Sequence, residues 1–484
     1  MSSTATQSET SVTVQPAIAG TIILVVLAIH LSRNWVEARG AEKPAIKPAE
    51  ALVFPPALPD GKNLVTDKSE MFLKAPITLR KDVVVAKVPP TIEFMYYPGQ
   101  DYPGNPWSNW GDSVVANGKY YASIGDHHAL GVKGRDAKNS GNAFVFEYDP
   151  ASKKLRQLVD VKQLLNRPEG HYTPGKIHGR LDMGDDGWLY FSTYRGGARA
   201  TQDEFHYEGD WIIRSHPASG KSEVVAHAPI PKHGIPGSAL DPKRLIFFGG
   251  TTAGSAGATS KNRKSGDILF FAYDLGTKKL LFSGPKRQKE YVMFAPSTGR
   301  AYYISEDGDL MRFDPAKAGP AVKVAGPVDI SGAATRETPQ GFIYTVSAGQ
   351  RKDEASLWSF NTKTEELQDL GSVVVGTKAS VSSLDVDPTG RYVYYTVGTH
   401  GSSPADGTPI VQFDTKSKQK KVIAFLHPFY KDKYGCTPVG SYSSALDAKG
   451  ETLYVTWNVN RGGRVAWDCC ALSVIHIPEL ERQP

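Results

Sequence analysis

DPTGRYVYYTVGT, Asp387 to Thr399, carries the pattern on which the fold turns. An apolar strand runs into an Asp-x-x-Gly turn. A second strand follows it, rich in Tyr and Val, with side chains that alternate in character. Six further stretches repeat the phrase. They are ANGKYYASIGD (Ala116–Asp126), DDGWLYFSTYRG (Asp185–Gly196), DPKRLIFFGGT (Asp241–Thr251), STGRAYYISED (Ser297–Asp307), PQGFIYTVSAG (Pro339–Gly349) and AKGETLYVTWN (Ala448–Asn458). A third strand often comes next and ends in Tyr-Asp-Pro, Phe-Asp-Pro or Phe-Asp-Thr. Small antiparallel sheets repeated every roughly 40–70 residues are the mark of a β-propeller. The expected units lie near residues 112–165, 176–228, 233–284, 289–327, 330–373, 378–426 and 438–479.

Composition agrees with that reading. The chain has 484 residues, and 47 Gly with 33 Pro suit many short strands and turns. Its net charge of +6 is small for this length, and no Lys/Arg stripe is present, so nucleic acid is not an expected partner. The basic stretches KKLRQ and KSKQKKV fall where exposed hairpin strands are expected. A monomer is expected, because a closed ring leaves few edges to pair. Ala75–Pro89, containing LRKDVVVAKVP, is the expected strand that closes the ring against the last blade.

The front of the chain differs from the rest. Ala17–Leu31 is an uninterrupted, largely apolar run of 15 residues, short for a spanning helix and suited to a signal core or a short anchor. Arg33, Arg39 and Lys43 follow the run and no Lys or Arg precedes it. The positive-inside tendency alone would therefore leave the remainder in the cytoplasm. Anchored propellers of this size are usually envelope proteins, and by that analogy the expectation is a cell-envelope or secreted protein, held in the membrane through residues 17–31 or released by cleavage. Residues 1–39 are read as tail and anchor, 40–81 as a Pro/Ala/Lys-rich linker, and 82–484 as the propeller. Three cysteines make no disulfide framework. Cys436 could pair with Cys469 or Cys470, a vicinal bridge would be strained, and buried thiols are the plainer reading.

The phrases DPTGRYVYYTVGT and DAKGETLYVTWN resemble the repeat units of the YVTN and lactonase-like propellers. As a whole the chain resembles the seven-bladed propellers that include oligogalacturonate and ulvan lyases. The resemblance implies an all-β, seven-bladed propeller over about residues 81–478. In sequence it covers only the blade turns, and fold alone does not fix function.

In a propeller blade the innermost strand and its neighbour run antiparallel, so entries to the first and exits from the second share one face. Entries include Trp110-Gly111-Asp112, His178-Gly179-Arg180, His233 and Ser441-Tyr442. Exits include Asp126-His127-His128, Tyr194-Arg195, Glu306-Asp307 and His400. Five of the 12 His, at 127, 128, 178, 233 and 400, thus fall on one rim. Two chemistries suit such a set. One is β-elimination on a uronic-acid polysaccharide, in which Arg180 or Arg195 neutralises the carboxylate and His128, His178 or Tyr194 acts as base or acid. Lyases of this resemblance use His, Tyr and Arg in those roles, sometimes with a divalent metal. The other is metal-centred chemistry, with Mn, Zn, Ca or Cu held by His178, His233 and His400. The expected function is a carbohydrate-active, lyase-type enzyme acting on a polyanionic polysaccharide or other glycan. The alternative is a non-catalytic propeller scaffold that binds glycan or protein.

Overall fold

The computed structural model describes residues 52–104, 106–127, 141–254, 266–288, 290–347, 354–463 and 466–483. The anchor expected at residues 17–31 lies outside them. Among the described residues no helix is long and apolar enough to cross a membrane.

Local chemistry sets the hairpins. In the quoted stretch the Asp387 carboxylate accepts the Tyr392 amide at 2.8 Å and the Thr389 hydroxyl at 2.5 Å. Gly390 takes φ 74°, which a side chain would disfavour. The Asp or Asn at the end of the third strand in five of the blades works similarly. Asp149 accepts the Ala151 amide, Asp274 those of Gly276 and Thr277, Asp314 that of Ala316, Asn361 those of Lys363 and Thr364, and Asp414 those of Lys416 and Ser417. These side chains reproduce a turn's hydrogen bond and hold the step into the fourth strand.

The described strands form seven sheets arranged as a seven-bladed propeller. Blade 1 runs over Val114–Ala116, Lys119–Asp126, Asn142–Asp149 and Lys154–Asp160, with Trp107–Ser108 as an added entry strand. Blade 2 holds Asp182–Met183, Leu189–Ser192, Trp211–His216 and Lys221–His227, and blade 3 spans His233–Asp241 to Lys279–Pro285. Blades 4 and 5 cover Met293–Ala295 to Val322–Ala325 and Ile330–Ala334 to Leu367–Ser372. Blade 6 covers Leu384–Val386 to Lys420–Phe425, and blade 7 begins at Thr437–Leu446 and continues through Thr452–Asn460 and Cys469–His476.

Blade 7 takes its fourth strand from the other end of the chain. Thr91–Tyr96 pairs antiparallel with Cys469–His476 and closes the ring. The sequence expectation placed the closing strand slightly too early. Val83–Val85, inside the expected stretch, instead runs parallel to Lys420–Phe425 at the outer edge of blade 6. The physical reason lies in burial: Ile92 and Phe94 are fully buried in the blade 6/7 core, whereas Val84 is exposed. Part of the stretch expected as linker also joins the fold. Val65–Lys68 adds a fifth strand outside Thr91–Tyr96, and Phe72 is buried against Phe429.

The core is not one ball but seven layers, one between each pair of neighbouring blades. Between blades 3 and 4, for example, Phe248 and Phe270 meet Phe294, Tyr303 and Phe313. All three cysteines are buried free thiols in the blade 7 region. Burial pushes Cys436 up to about 11, which keeps it a thiol rather than a thiolate at neutral pH. Phe94→Ala is expected to lower stability by about 3–5 kcal/mol, because it opens a cavity at the closing strand. Val84→Ala should change it by less than about 0.5 kcal/mol. Denaturant midpoints of the two variants check this.

Candidate functional site

Strand entries and exits meet at one mouth of the ring, here termed the upper mouth. Lys176 bridges to Tyr194, Trp107 pairs with Asp126, His233 with Ala253, and Thr437 with Asn460. At the centre of this mouth lies the half-buried indole of Trp110. Its ring centroid stands 5.5 Å from that of His127, 5.6 Å from His178, 5.3 Å from His400 and 4.6 Å from Tyr442. The Lys176 ammonium lies 4.2 Å from the same centroid, a cation–π distance, and 5.4 Å from that of Tyr194. Blades 1, 2, 6 and 7 thus each supply a side chain to one cluster.

Each member has a local reason for its place. The Trp110 indole donates to Ser108 Oγ at 2.8 Å, and the same oxygen lies 2.8 Å from His127 Nε2. His127 approaches blade 2 closely because residue 196 is Gly; a Cβ there would fall 1.8 Å from the His127 carbonyl oxygen. His178 Nδ1 lies 3.1 Å from the carbonyl of Pro236. A carbonyl only accepts, so Nδ1 carries the hydrogen and Nε2 is the basic nitrogen of the neutral ring. His400 sits in left-handed backbone at φ 56°, strained for a residue with a side chain. That turn sets its ring against Tyr442, whose hydroxyl lies 2.5 Å from Nδ1 and 2.8 Å from Nε2. Burial drives the Tyr442 phenol well above its ordinary range.

The two arginines expected at the site are engaged elsewhere. Arg180 follows His178 by two residues and lies deeper in the channel. There it donates to the carbonyl of Ala334 at 2.8 Å and pairs with Asp112 at 3.5 Å. Arg195 is buried and donates to the carbonyl of Gly254 at 3.1 Å. Beside it lies Asp210, which accepts from the hydroxyls of Thr193 at 2.7 Å, Tyr172 at 3.0 Å and Tyr207 at 3.3 Å. Burial pushes Asp210 up to about 6, and these donors with Arg195 hold it from rising further. This knot fixes the strand exit that carries Tyr194. Tyr194 itself is buried with its ring edge-on to His178 at 5.5 Å.

The three imidazoles expected to share a metal do not form a metal-holding group. Among the described residues no three His, Cys, Asp or Glu side chains converge closely enough to hold an ion. His178 and His400 each pack on the Trp110 ring, while His233 Nδ1 engages the Thr251 hydroxyl at 2.9 Å. His128 lies outside the described residues. Lys176, Trp110 and Tyr442 were not among the expected site residues. Trp110 and Tyr442 were nonetheless among the strand entries that the sequence places on the rim.

The class of protein defined here is a seven-bladed propeller with a ring-lined, partly basic upper mouth. No protein-family model matches the chain, and no curated protein matches it. Among solved structures it is similar to a chain in the crystal structure of a mitotic checkpoint complex, at TM-score 0.47 and 11% identity, covering 84% of this chain and 95% of that one. It is also similar to an oligogalacturonate lyase in complex with manganese, at TM-score 0.44 and 11% identity, covering 78% and 98%. Likenesses this distant concern the fold alone.

Asp210→Ala is expected to lower stability by about 2–4 kcal/mol, because three buried hydroxyls lose their common acceptor and Arg195 loses a nearby negative charge. Thermal denaturation of the variant checks it.

Proposed function

We propose that the chain is a carbohydrate-active propeller that takes an acidic polysaccharide at the upper mouth and cleaves it by β-elimination. The observation that carries this reading is the convergence of His127, His178, His400, Lys176 and Tyr442 on Trp110 from four blades. The half-buried Trp110 indole and the rings packed on it give the mouth an aromatic lining of the kind sugars pack against. The Lys176 ammonium, held over the Trp110 ring, takes the role of neutralising the uronate carboxylate. With the carboxylate neutralised, the hydrogen on the adjacent carbon becomes more acidic. His178 Nε2 removes it, the bond from the β-carbon to the glycosidic oxygen breaks, and the Tyr442–His400 pair returns a proton to the leaving oxygen. The products are a new reducing end and an unsaturated uronate. In this reading the substrate is extracytoplasmic and residues 17–31 hold the propeller, as a monomer, at the membrane.

A metal is not needed for these steps, and among the described residues no three-ligand set for one is present. A second reading, glycan binding without cleavage, is favoured by one observation: the guanidiniums best suited to grip a carboxylate are both bound to backbone carbonyls.

The test incubates the purified protein with uronate polymers and follows ultraviolet absorbance of the unsaturated product. His178→Ala should abolish product while binding stays within about threefold, and Trp110→Ala should weaken binding at least about tenfold, near 1.4 kcal/mol. Binding that Trp110→Ala weakens, with no unsaturated product from the wild type, selects the non-catalytic reading. No binding of acidic glycan at all overturns both.

A further inference from the structure

Beneath the upper mouth the channel is crossed by a buried polar chain. Ser383 Oγ lies 2.7 Å from Asp112 Oδ1 and 2.7 Å from Ser444 Oγ, and Ser444 Oγ in turn contacts Asp385 Oδ2. Asp112 comes from blade 1, Ser383 and Asp385 from blade 6, and Ser444 from blade 7. Asp112, Ser383 and Ser444 are buried, whereas Asp385 is half-buried and lines a cavity of about 140 Å³ at the opposite, lower mouth.

We propose that Asp385, Ser444, Ser383 and Asp112 form a proton-holding chain in which the two carboxyl groups share a single proton. Hydrogen counting requires it. Three short oxygen–oxygen contacts need three hydrogens, and the two serines bring one each. The third must belong to a carboxyl group. Charge counting gives the same number. Two guanidiniums, Arg180 and Arg336, face three carboxyls, Asp112, Asp182 and Asp385. One bound proton makes that set neutral, as burial demands. Tyr120 and Tyr291 also face Asp112 and are uncharged at these pH values, their phenols being driven up by burial.

The chain has two balanced arrangements. In one, Asp385 donates its proton to Ser444 Oγ, Ser444 to Ser383 Oγ, and Ser383 to ionised Asp112. In the other every hydrogen has shifted one step, so Asp112 carries the proton and Asp385 is ionised. No net atom or charge is gained, and Asp385 exchanges with solvent through the lower cavity. The partner of Arg180, directly below the Trp110 cluster, is thereby switched between anion and neutral acid from the far side of the ring. Direction agrees: burial first and then the Asp112 charge push Asp385 up to about 7, and burial raises Asp112 against the pull of both arginines. The proposal does not depend on the glycan reading.

Linkage fixes the sign of the test. The raised carboxyl binds its proton in the folded state, so its stabilisation is full below the unfolded carboxylate pKa of about 4. It is lost as pH rises through about 7. Asp385→Asn keeps a hydrogen donor toward Ser444 at every pH. The thermal midpoint of the wild type should therefore fall relative to Asp385→Asn between about pH 5 and about pH 8; parallel curves overturn the proposal. Difference infrared spectra of the full-length protein at about pH 6, between the unfolded and folded values, should show a protonated-carboxyl stretch beyond the Asp210 contribution, which Asp210→Asn removes. Its absence overturns the proposal even if Asp385→Asn fails to fold. Ser444→Ala, which cuts the chain and keeps both acids, should shift that band; an unmoved band counts against the chain.

Discussion

Closure of the ring is the constraint on which everything else in this molecule depends. Thr91–Tyr96 joins the last blade as its outer-middle strand, held on one side by Cys469–His476 and on the other by Val65–Lys68. Without it, blade 7 would expose an unpaired edge, and blades 7 and 1 would lose the layer where Met95 and Tyr97 meet Phe146 and Tyr148. Because the apolar core of each blade packs on its two neighbours, the seven interfaces stand or fall with the circle. The circle also creates the site. Trp110, His178, His400 and Tyr442 are far apart in sequence, and only a closed ring brings their strand ends to one mouth.

The channel divides naturally into two levels. Trp110 and Asp112 are two residues apart, as are His178 and Arg180, and in each pair the first lies in the ring cluster at the mouth and the second in the ion pair of the floor below it. Arg336 extends that floor across the axis, reaching Asp182 at 2.8 Å and the carbonyl of Leu181 at 2.9 Å from blade 5. Contacts between blades 2 and 5, which are not neighbours, are made across the central channel. The floor therefore separates the mouth with aromatic rings from the lower cavity lined by Asp385 and Asp387.

The blades were legible in the sequence because their signals are local: alternation within a strand and an Asp or Gly in each turn. The strand that closes the ring was harder to read. LRKDVVV and TIEFMYY both favour β structure, and the choice between them is made by partners at the far end of the chain. At the site, His127, His178 and His400 were legible as positions on a rim. The roles of Arg180 and Arg195 were not, because their acceptors, the carbonyls of Ala334 and Gly254, come from other blades and leave no mark in residue identity. The metal expectation had the same weakness. Three imidazoles on one rim need not converge, and here an indole that the sequence places on the rim without a role takes the centre.

The central claim is that the Trp110 cluster receives an acidic sugar. The most direct measurement is a crystal structure of the protein soaked with a short uronate oligosaccharide. The account predicts sugar density at the upper mouth, against Trp110, with a carboxylate directed at Lys176 and the adjacent carbon facing His178 Nε2. Density confined to the groove between blades 1 and 7, near Tyr148 and Tyr454, or to the lower mouth would contradict it.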